Sequence, residues 1–290
     1  MPAGPITHEG AQHTCPLEKP KVHVGGPIIG ECAKNTVVGP EAKRVARVGD
    51  RADCEVTEHD TVRGGLITVW VEGQPAAREG DATDAGKVMT GLGTVQLGAR
   101  DPKDPIPRWV ADWLFEYLKE LDDEIPYDFT NDGCYARADR MAQYIEAMDI
   151  PVEKLWMQAW GTGQLSVVPR AFRGAATTWG WHVAPMVRVQ GVADPGYLVF
   201  DPTVGQGGPM EVLAWMGSVN SDKVEAFWDR TAATVYKHKL TAIKDQKPVW
   251  ESTAARDPET TRKDLQRFRD QRSEARRAAR EAMGKQVFHY

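Results

Sequence analysis

The chain has 290 residues, of which 41% are hydrophobic and 27% charged, and its formal net charge is −5. This length leaves room for two domains of ordinary size, and the negative charge argues against a general nucleic-acid-binding protein. No apolar run is long enough to span a membrane, and the first residues lack the basic and hydrophobic segments of a secretory signal. Because four cysteines do not make a dense disulfide framework, we expect synthesis in a reducing cytoplasm, with any export independent of a signal peptide.

Residues 1–98 are rich in glycine, valine, threonine and proline and carry a faint internal repeat. The sequence Arg-Val-Gly-Asp at 47–50 recurs as Arg-Glu-Gly-Asp at 78–81. The segments that look like three equivalent strands are 36–39, 68–71 and 94–98. Short strands divided by glycine turns predict a compact β module, and no catalytic constellation stands out within it.

This N-terminal region resembles the PAAR-repeat family, which forms the tips of type VI secretion spikes. The name-giving Pro-Ala-Ala-Arg occurs at 75–78, and the Gly-Gly-Pro-Ile segment at 25–28 fits the same pattern. The resemblance covers nearly all of residues 1–98. It implies a pointed β cone that caps a trimeric spike protein and carries a zinc ion near its apex.

The residue types of this region also suggest a metal site, independently of the family resemblance. The soft or borderline ligands of the region are His13, Cys15, His23, Cys54 and His59, which are types used in tetrahedral zinc sites. Their spacing matches no standard zinc finger, so the cysteines, with Cys32, could instead be small core residues. Asp53-Cys54 occupies the position that Asp84-Ala85 holds one repeat later. The later repeat, with alanine in place of cysteine, has therefore lost a possible ligand. We predict His13, Cys15, His23 and Cys54 as the ligands.

A proline-rich, charged stretch at 99–107 is predicted to be a semi-stiff linker. A helix is predicted to follow over 108–121, with one face turned to the core. The stripe assigned to that face is Trp109, Trp113, Tyr117 and Leu121, reinforced by Val110, Leu114 and Leu118.

Cys134 is the only cysteine after residue 54, and it lies where a turn becomes a helix. Asn131 and Asp132 are good N-cap residues, and Gly133 allows a tight approach. The apolar positions that recur at helical spacing from there are Ala138, Met141, Ile145 and Met148. A thiol in the first turn faces the positive end of the helix dipole, which favours the nucleophilic thiolate.

A nucleophilic thiol needs a base, and the base needs a residue that orients it. His182 lies in a predicted strand that runs to residue 189, and Asp201 ends the next strand. If these strands pair, His182 and Asp201 come side by side near Cys134, an arrangement that recurs on several folds. Taken singly, the residues also fit a buried cysteine, a core histidine and an Asp-Pro turn. Their order and local structures together favour catalysis.

Three segments resemble the protein-glutaminase family, which deamidates glutamine side chains in proteins. They are DGCYARADRM at 132–141, WGWHVAPMV at 179–187 and YLVFDPTV at 197–204. The resemblance covers about residues 105–240 and implies a papain- and transglutaminase-like fold. It also implies that Cys134 is the nucleophile, His182 the base and Asp201 the acid of a triad that needs no cofactor. Asp139 departs from the family pattern, in which a histidine is expected.

The whole chain is therefore expected to be α+β, with a β-rich PAAR cone followed by a papain-like α+β cysteine-enzyme domain. The predicted boundaries are 1–98 for the cone, 99–107 for the linker, 108–256 for the catalytic domain and 257–290 for a charged helical tail. A solvated helix lying on the domain is favoured for this tail over a docking arm for a partner.

Other parts of the catalytic domain are predicted more coarsely. Strands are predicted at 152–159 and 233–240, and helices at 210–216 and 221–228. Trp160, Trp179 and Trp181 are candidates to line a groove for an extended peptide, with ordinary core or rim packing the equal alternative.

These expectations combine into a type VI secretion effector whose tip delivers a protein-glutamine deamidase into a target cell. The partners expected are a trimeric spike protein, a cognate immunity protein that blocks the cleft and a protein substrate, with no nucleic acid and no membrane segment. A papain-like protease or a transglutaminase would use the same triad. A non-catalytic spike tip with a binding extension is the alternative from a different class.

Overall fold

The computed structural model describes residues 3–16, 23–54, 60–98, 101, 103–129, 132–167, 177–193, 196–205 and 207–286, the last eight by their backbone alone. Contacts divide the chain into two compact units. One unit is Met1–Asp104 with Tyr144–Pro151, and the other is Pro105–Gln143 with Val152–Tyr290. No helix in the described ranges is both long and apolar enough to cross a membrane.

The first unit is built from short strands, as its glycine-divided sequence predicts. In chain order they are β1 (Gly4–Ile6), β2 (Gln12–Thr14), β3 (Gly26–Gly30), β4 (Val37–Val38), β5 (Lys43–Arg44), β6 (Arg51–Ala52), β7 (Asp60–Thr61), β8 (Leu66–Val71), β9 (Gln74–Ala76), β10 (Lys87–Val88) and β11 (Leu92–Leu97). One sheet has the order β10-β2-β3-β6-β7, and β1 pairs with β11, β4 with β5 and β8 with β9. Small apolar side chains such as Ile28, Val88 and Leu66 fill its core.

The predicted internal repeat is a repeated turn in this unit. The backbone N–H of Arg47 donates to Asp50 Oδ2 at 2.7 Å, and that of Arg78 donates to Asp81 Oδ2 at 2.6 Å. In each copy the arginine guanidinium also pairs with the same aspartate, at 3.1 and 2.9 Å. The Arg-x-Gly-Asp pattern is therefore explained by a tight turn that the aspartate closes.

The second unit mixes helices and strands, so the predicted α+β class is confirmed. Its elements are α1 (Arg108–Glu120), a 3-10 turn (Leu121–Asp123), α2 (Cys134–Ala147), β12 (Val152–Ala159), β13 (Leu165–Val167), β14 (Thr177–Trp179), β15 (Trp181–Arg188), β16 (Tyr197–Val199), β17 (Met210–Glu211), α3 (Val212–Val219), β18 (Ala226–Ala232), β19 (Val235–Lys244), β20 (Lys247–Ala255) and α4 (Pro258–Gln286).

An antiparallel sheet of order β17-β16-β15-β12-β18 forms the centre of this unit. Successive residues of β12 point to opposite faces. Leu155 and Met157 pack in a cluster with Trp215 of α3, whereas Trp156 packs in a cluster with Ala138 of α2. The sheet thus separates α3 on one face from α2 on the other.

Two sequence predictions for this unit are wrong. The end of the helix predicted at 221–228 belongs instead to strand β18, because residues 226–232 all pair with β12. Helix α1 buries the row that includes Val110, Leu114 and Leu118, whereas Trp109 is 55% exposed. The three residues predicted to reinforce the stripe are thus the buried ones, whereas the main stripe is only partly covered or exposed.

The end of the predicted linker is part of the second unit. Ile106 is fully buried, and its backbone N–H donates to the carbonyl of Arg188 at 3.0 Å. Ile106 thus forms a parallel bridge with Val189, just after the end of β15, and this bridge fixes the chain where α1 begins.

Candidate active site

A glycine turn positions Cys134 at the start of α2. Gly133, directly before it, has a φ of +89°, and a Cβ there would lie 2.5 Å from a ring carbon of Phe268. Only glycine allows both this conformation and this close approach. Gly133 N–H donates to Asp132 Oδ1 at 2.6 Å, while the cap predicted at Asn131 lies outside the described residues.

Sheet pairing brings His182 and Asp201 together. Met186 of β15 lies opposite Val199 of β16, and Asp201 follows β16 by two residues. His182 Nε2 consequently donates to Asp201 Oδ2 at 2.8 Å. His182 is 1% exposed and Asp201 3% exposed, so water competes little for this hydrogen bond.

Asp201 is held in place by two further donors. Trp215 Nε1 donates to Oδ2 at 2.9 Å, and the backbone N–H of Thr203 donates to Oδ1 at 3.2 Å. Burial alone would raise the pKa of Asp201, but the charge and hydrogen bonds of His182 and Trp215 lower it below its usual range. Asp201 is therefore a carboxylate that accepts hydrogen bonds and does not donate them.

The second ring nitrogen of His182, Nδ1, is not engaged by Asp201. It is buried and has no hydrogen bond of good geometry in the described ranges. Burial alone would lower the pKa of His182, but Asp201 and the neighbouring Cys134 thiol outweigh it and raise the pKa to about 9. The structure thus brings Cys134, His182 and Asp201 together, with the imidazole between thiol and carboxylate.

A buried arginine lies beside this group of residues. Arg137 Nη1 donates to the carbonyl of Phe129 at 2.7 Å and to that of Asp132 at 2.9 Å. These bonds tie the loop before Cys134 to α2. The guanidinium charge is close enough to interact with Cys134 and Asp201, and it helps to lower the pKa of Asp201.

Tryptophan rings enclose the imidazole. Trp179 stacks on His182 with 4.3 Å between ring centroids, and Trp215 stacks on it at 5.7 Å. Trp179 is in the sequence motif, but nothing in the sequence links Trp215 to the site. The one available signal is general: a buried indole N–H needs an acceptor, so a buried Trp215 would need a partner such as a carboxylate.

A cavity of about 170 Å³ opens at Cys134. Its lining residues are Asp132, Cys134, Arg137, Thr178, Trp179, Gly180 and Trp181. Trp179 and Trp181 thus line the cavity, as one of the two interpretations predicts. Trp160 instead packs edge-on against Phe227, with 6.4 Å between ring centroids.

The first unit contains a separate cluster of soft ligands. Cys15, His23 and Cys54 are buried, and their ligand atoms lie within 4.8 Å of one another. His23 Nδ1 is 3.2 Å from each sulfur. Tetrahedral zinc, with bonds of about 2.3 Å to sulfur and 2.0 Å to nitrogen, places neighbouring ligand atoms roughly 3.5 Å apart. The three side chains therefore fit a zinc ion.

His13, the fourth predicted ligand, does not join this cluster. Its Nδ1 lies 2.8 Å from the carbonyl of Gly26, and its Nε2 lies 3.2 Å from Asp60 Oδ2. Both ring nitrogens are thus directed at oxygen atoms. Cys32 lies in an apolar cluster, where burial, followed by the charge of Asp50, raises its pKa to about 12. His59 lies outside the described residues.

Comparison with known families matches two parts of the chain. Residues 18–91 match the family model described as "PAAR motif", and residues 111–219 match the family model described as "Glutaminase". The chain therefore combines a PAAR-motif region with a glutaminase-like domain, as the two sequence resemblances predict. Comparison with curated proteins gives no match.

Solved structures of protein-glutaminase are similar to part of the chain. A crystal structure of protein-glutaminase is 22% identical with a TM-score of 0.41, and the alignment covers 57% of this chain and 89% of that one. An NMR structure of protein-glutaminase from Chryseobacterium proteolyticum is 21% identical with a TM-score of 0.42, covering 56% and 88%. A pro-protein-glutaminase is 22% identical with a TM-score of 0.38, covering 48% of this chain. The chain spans 53% of that longer protein, and likeness at this level says nothing about activity.

Proposed function

We propose that this chain is a type VI secretion effector whose C-terminal domain deamidates glutamine side chains of a protein substrate. The observation that carries the proposal is the buried hydrogen bond between His182 and Asp201, with the other imidazole nitrogen left for Cys134. The match of residues 111–219 to a glutaminase family supports the choice of an amide as the bond broken.

The first half of the proposed reaction forms a thioester. The thiolate of Cys134 attacks the side-chain amide carbon of glutamine, and His182 gives its proton to the nitrogen, which leaves as ammonia. The backbone N–H of Cys134 lacks an acceptor within its helix, so it is suited to stabilise the tetrahedral oxyanion. Asp201 holds the imidazole in the tautomer and orientation that this transfer needs.

The second half hydrolyses the thioester. Neutral His182 takes a proton from water, the hydroxide attacks the thioester carbon, and the carbon–sulfur bond breaks to restore the Cys134 thiolate. The new carboxylic acid gives its proton to ammonia, so one water and one glutamine amide become glutamate and ammonium. His182 is thus the donor in the first half of the reaction and the acceptor in the second half.

The PAAR-motif region supports delivery on a secretion spike. In this proposal the first unit caps a trimeric spike protein, and a zinc ion held by Cys15, His23 and Cys54 cross-links its loops. A toxic deamidase made inside a cell also requires protection, so the proposal includes a cognate immunity protein that covers the Cys134 cavity.

The test uses the full-length chain as wild type and as Cys134→Ala, with an unfolded protein and the dipeptide benzyloxycarbonyl-Gln-Gly as substrates. Cys32→Ala is the matched control, since Cys32 is a buried cysteine of the other unit. Ammonia release that depends on Cys134 but not on Cys32, with glutamine converted to glutamate, would support the proposal. Backbone cleavage would indicate a protease, lysine cross-links a transglutaminase, and no reaction a binding protein.

A further inference from the structure

A second cavity lies next to the one at Cys134. It has a volume of about 540 Å³, and its lining residues are Phe129, Asp132, Arg267, Phe268, Gln271 and Ala275. Asp132 lines both cavities and precedes Cys134 by two residues. We call this second cavity the α4 groove, since four of its lining residues belong to helix α4.

The α4 groove has an aromatic floor and a polar rim. Phe129 and Phe268 stack with 5.5 Å between ring centroids; Phe129 is half-buried and Phe268 is buried, so Phe129 supplies the accessible aromatic surface. The guanidinium of Arg267 lies 4.8 Å from the centre of the Phe268 ring and pairs with Asp264 at 3.0 Å. The exposed amide of Gln271 adds a donor and an acceptor to the rim. Such a surface suits a peptide that places an apolar side chain on the floor.

The sizes of the two cavities point to different occupants. Small-molecule pockets usually have volumes of about 300–1,000 Å³, and the Cys134 cavity of about 170 Å³ falls below that range. It therefore suits a single side chain that enters from a larger substrate. The α4 groove, at about 540 Å³, has room for the neighbouring residues of that substrate.

We propose that the α4 groove binds the substrate residues flanking the target glutamine and selects an apolar side chain next to it. The proposal rests on the deamidase function proposed above and names the substrate class as an extended protein segment. Helix α4 lies outside the residues 111–219 that match the glutaminase family. The groove therefore combines Phe129 and Asp132 of the matched region with four residues from outside it.

The test fills the groove in the full-length chain. Ala275→Trp places an indole in the groove, whereas Ser273→Trp places one at an exposed position two residues away on the same helix. The substrates are benzyloxycarbonyl-Gln-Gly and two sets of short peptides, one with leucine and one with serine flanking the glutamine. Circular dichroism checks that both variants are folded.

Wild type and Ser273→Trp are expected to prefer the leucine peptides by about 10-fold in kcat/KM, as burial of one apolar side chain predicts. In Ala275→Trp that preference should vanish through a higher KM for the leucine peptides, while Ser273→Trp keeps the wild-type kcat for the dipeptide. An Ala275→Trp protein with unaltered KM and leucine preference would overturn the groove proposal while leaving the deamidase intact. A wild type that releases no ammonia from any substrate would overturn the deamidase itself.

Discussion

At the scale of single residues, His182 holds the proton on which the proposed reaction depends. Its pKa of about 9, against an ordinary value of 6.5, keeps it an imidazolium at neutral pH. That proton must pass to the departing ammonia. As pH rises through the raised pKa of about 9, His182 loses the proton and can no longer supply it. We predict that kcat/KM for benzyloxycarbonyl-Gln-Gly falls with an alkaline midpoint near 9.

The measurement is a pH–rate profile of the full-length chain, paired with the titration of His182 followed by NMR. The two midpoints should agree. A kcat/KM that rose through pH 6.5 and stayed level through pH 9 would mean that neutral imidazole is the active form. That result would contradict this assignment of the proton.

Residues that touch the reacting groups differ in how well the sequence predicts them. Cys134, His182 and Asp201 follow local patterns: a helix start, a strand interior and a strand end. Trp215 acts through a hydrogen bond to Asp201, which only the folded chain brings near. Arg137 binds backbone carbonyls of the preceding loop, an interaction that no side-chain pattern reveals. His13 was predicted as a zinc ligand from its residue type alone. In the folded chain its two ring nitrogens are directed at oxygen atoms of Gly26 and Asp60.

At the scale of elements, Asp139 joins α2 to the strands and to α4. This fully buried carboxylate accepts from Lys154 Nζ at 2.7 Å, Arg256 Nε at 2.8 Å and Thr261 Oγ1 at 2.7 Å. Burial alone would raise the pKa of Asp139, but the two cations lower it. We predict that Asp139→Asn reduces the free energy of unfolding by about 3–5 kcal/mol, because it leaves buried cations without their counter-ion.

Urea unfolding followed by tryptophan fluorescence measures this effect. The control is Asp112→Asn, which breaks an ion pair with Arg108 whose side chains are both at least half exposed. A change within about 1 kcal/mol is expected there. If the two substitutions cost the same, the buried network would not be what joins these elements.

The elements themselves could be predicted where periodicity and packing agree. Strand β12 has the predicted bounds 152–159, because its consecutive apolar residues Leu155, Trp156 and Met157 pack into clusters on both faces of the sheet. Helix α1 carries two adjacent apolar rows, and only the tertiary partners of Val110 and Leu114 decide which row is buried. In β18, pairing with β12 overrides the helix predicted from local composition.

At the scale of the whole molecule, the metal cluster and the triad belong to different units. We predict that the full-length chain binds one zinc ion through Cys15, His23 and Cys54, and that chelation destabilises the first unit. Ammonia release should survive chelation, because no group of the cluster takes part in the proposed proton transfers. Elemental analysis and thermal unfolding, with and without a strong chelator, measure both effects.

Two variants sharpen this test. Cys54→Ser should reduce zinc content and abolish the effect of the chelator on unfolding. Cys32→Ser, in the apolar cluster, should keep the zinc. Loss of activity on chelation, or full zinc content in Cys54→Ser, would contradict the prediction.

The two-part organisation of the chain could be predicted because each part carries its own signature. The repeated Arg-x-Gly-Asp turn marks the first unit, and the cysteine and histidine segments mark the second. The division by contacts is less simple, since it assigns Tyr144–Pro151 to the first unit although α2 begins in the second. Helical periodicity gives no sign of such a division, because it describes one continuous helix.

The stacking of Trp179 and Trp215 on His182 also has an optical consequence. A protonated imidazole quenches the fluorescence of an indole in contact with it, whereas a neutral imidazole quenches it much less. With ring centroids 4.3 and 5.7 Å from the imidazole, these two of the chain's ten tryptophans are intrinsic reporters of its charge. Their emission would brighten as His182 loses its proton, so the resting protein would signal the protonation state of His182 without substrate or label.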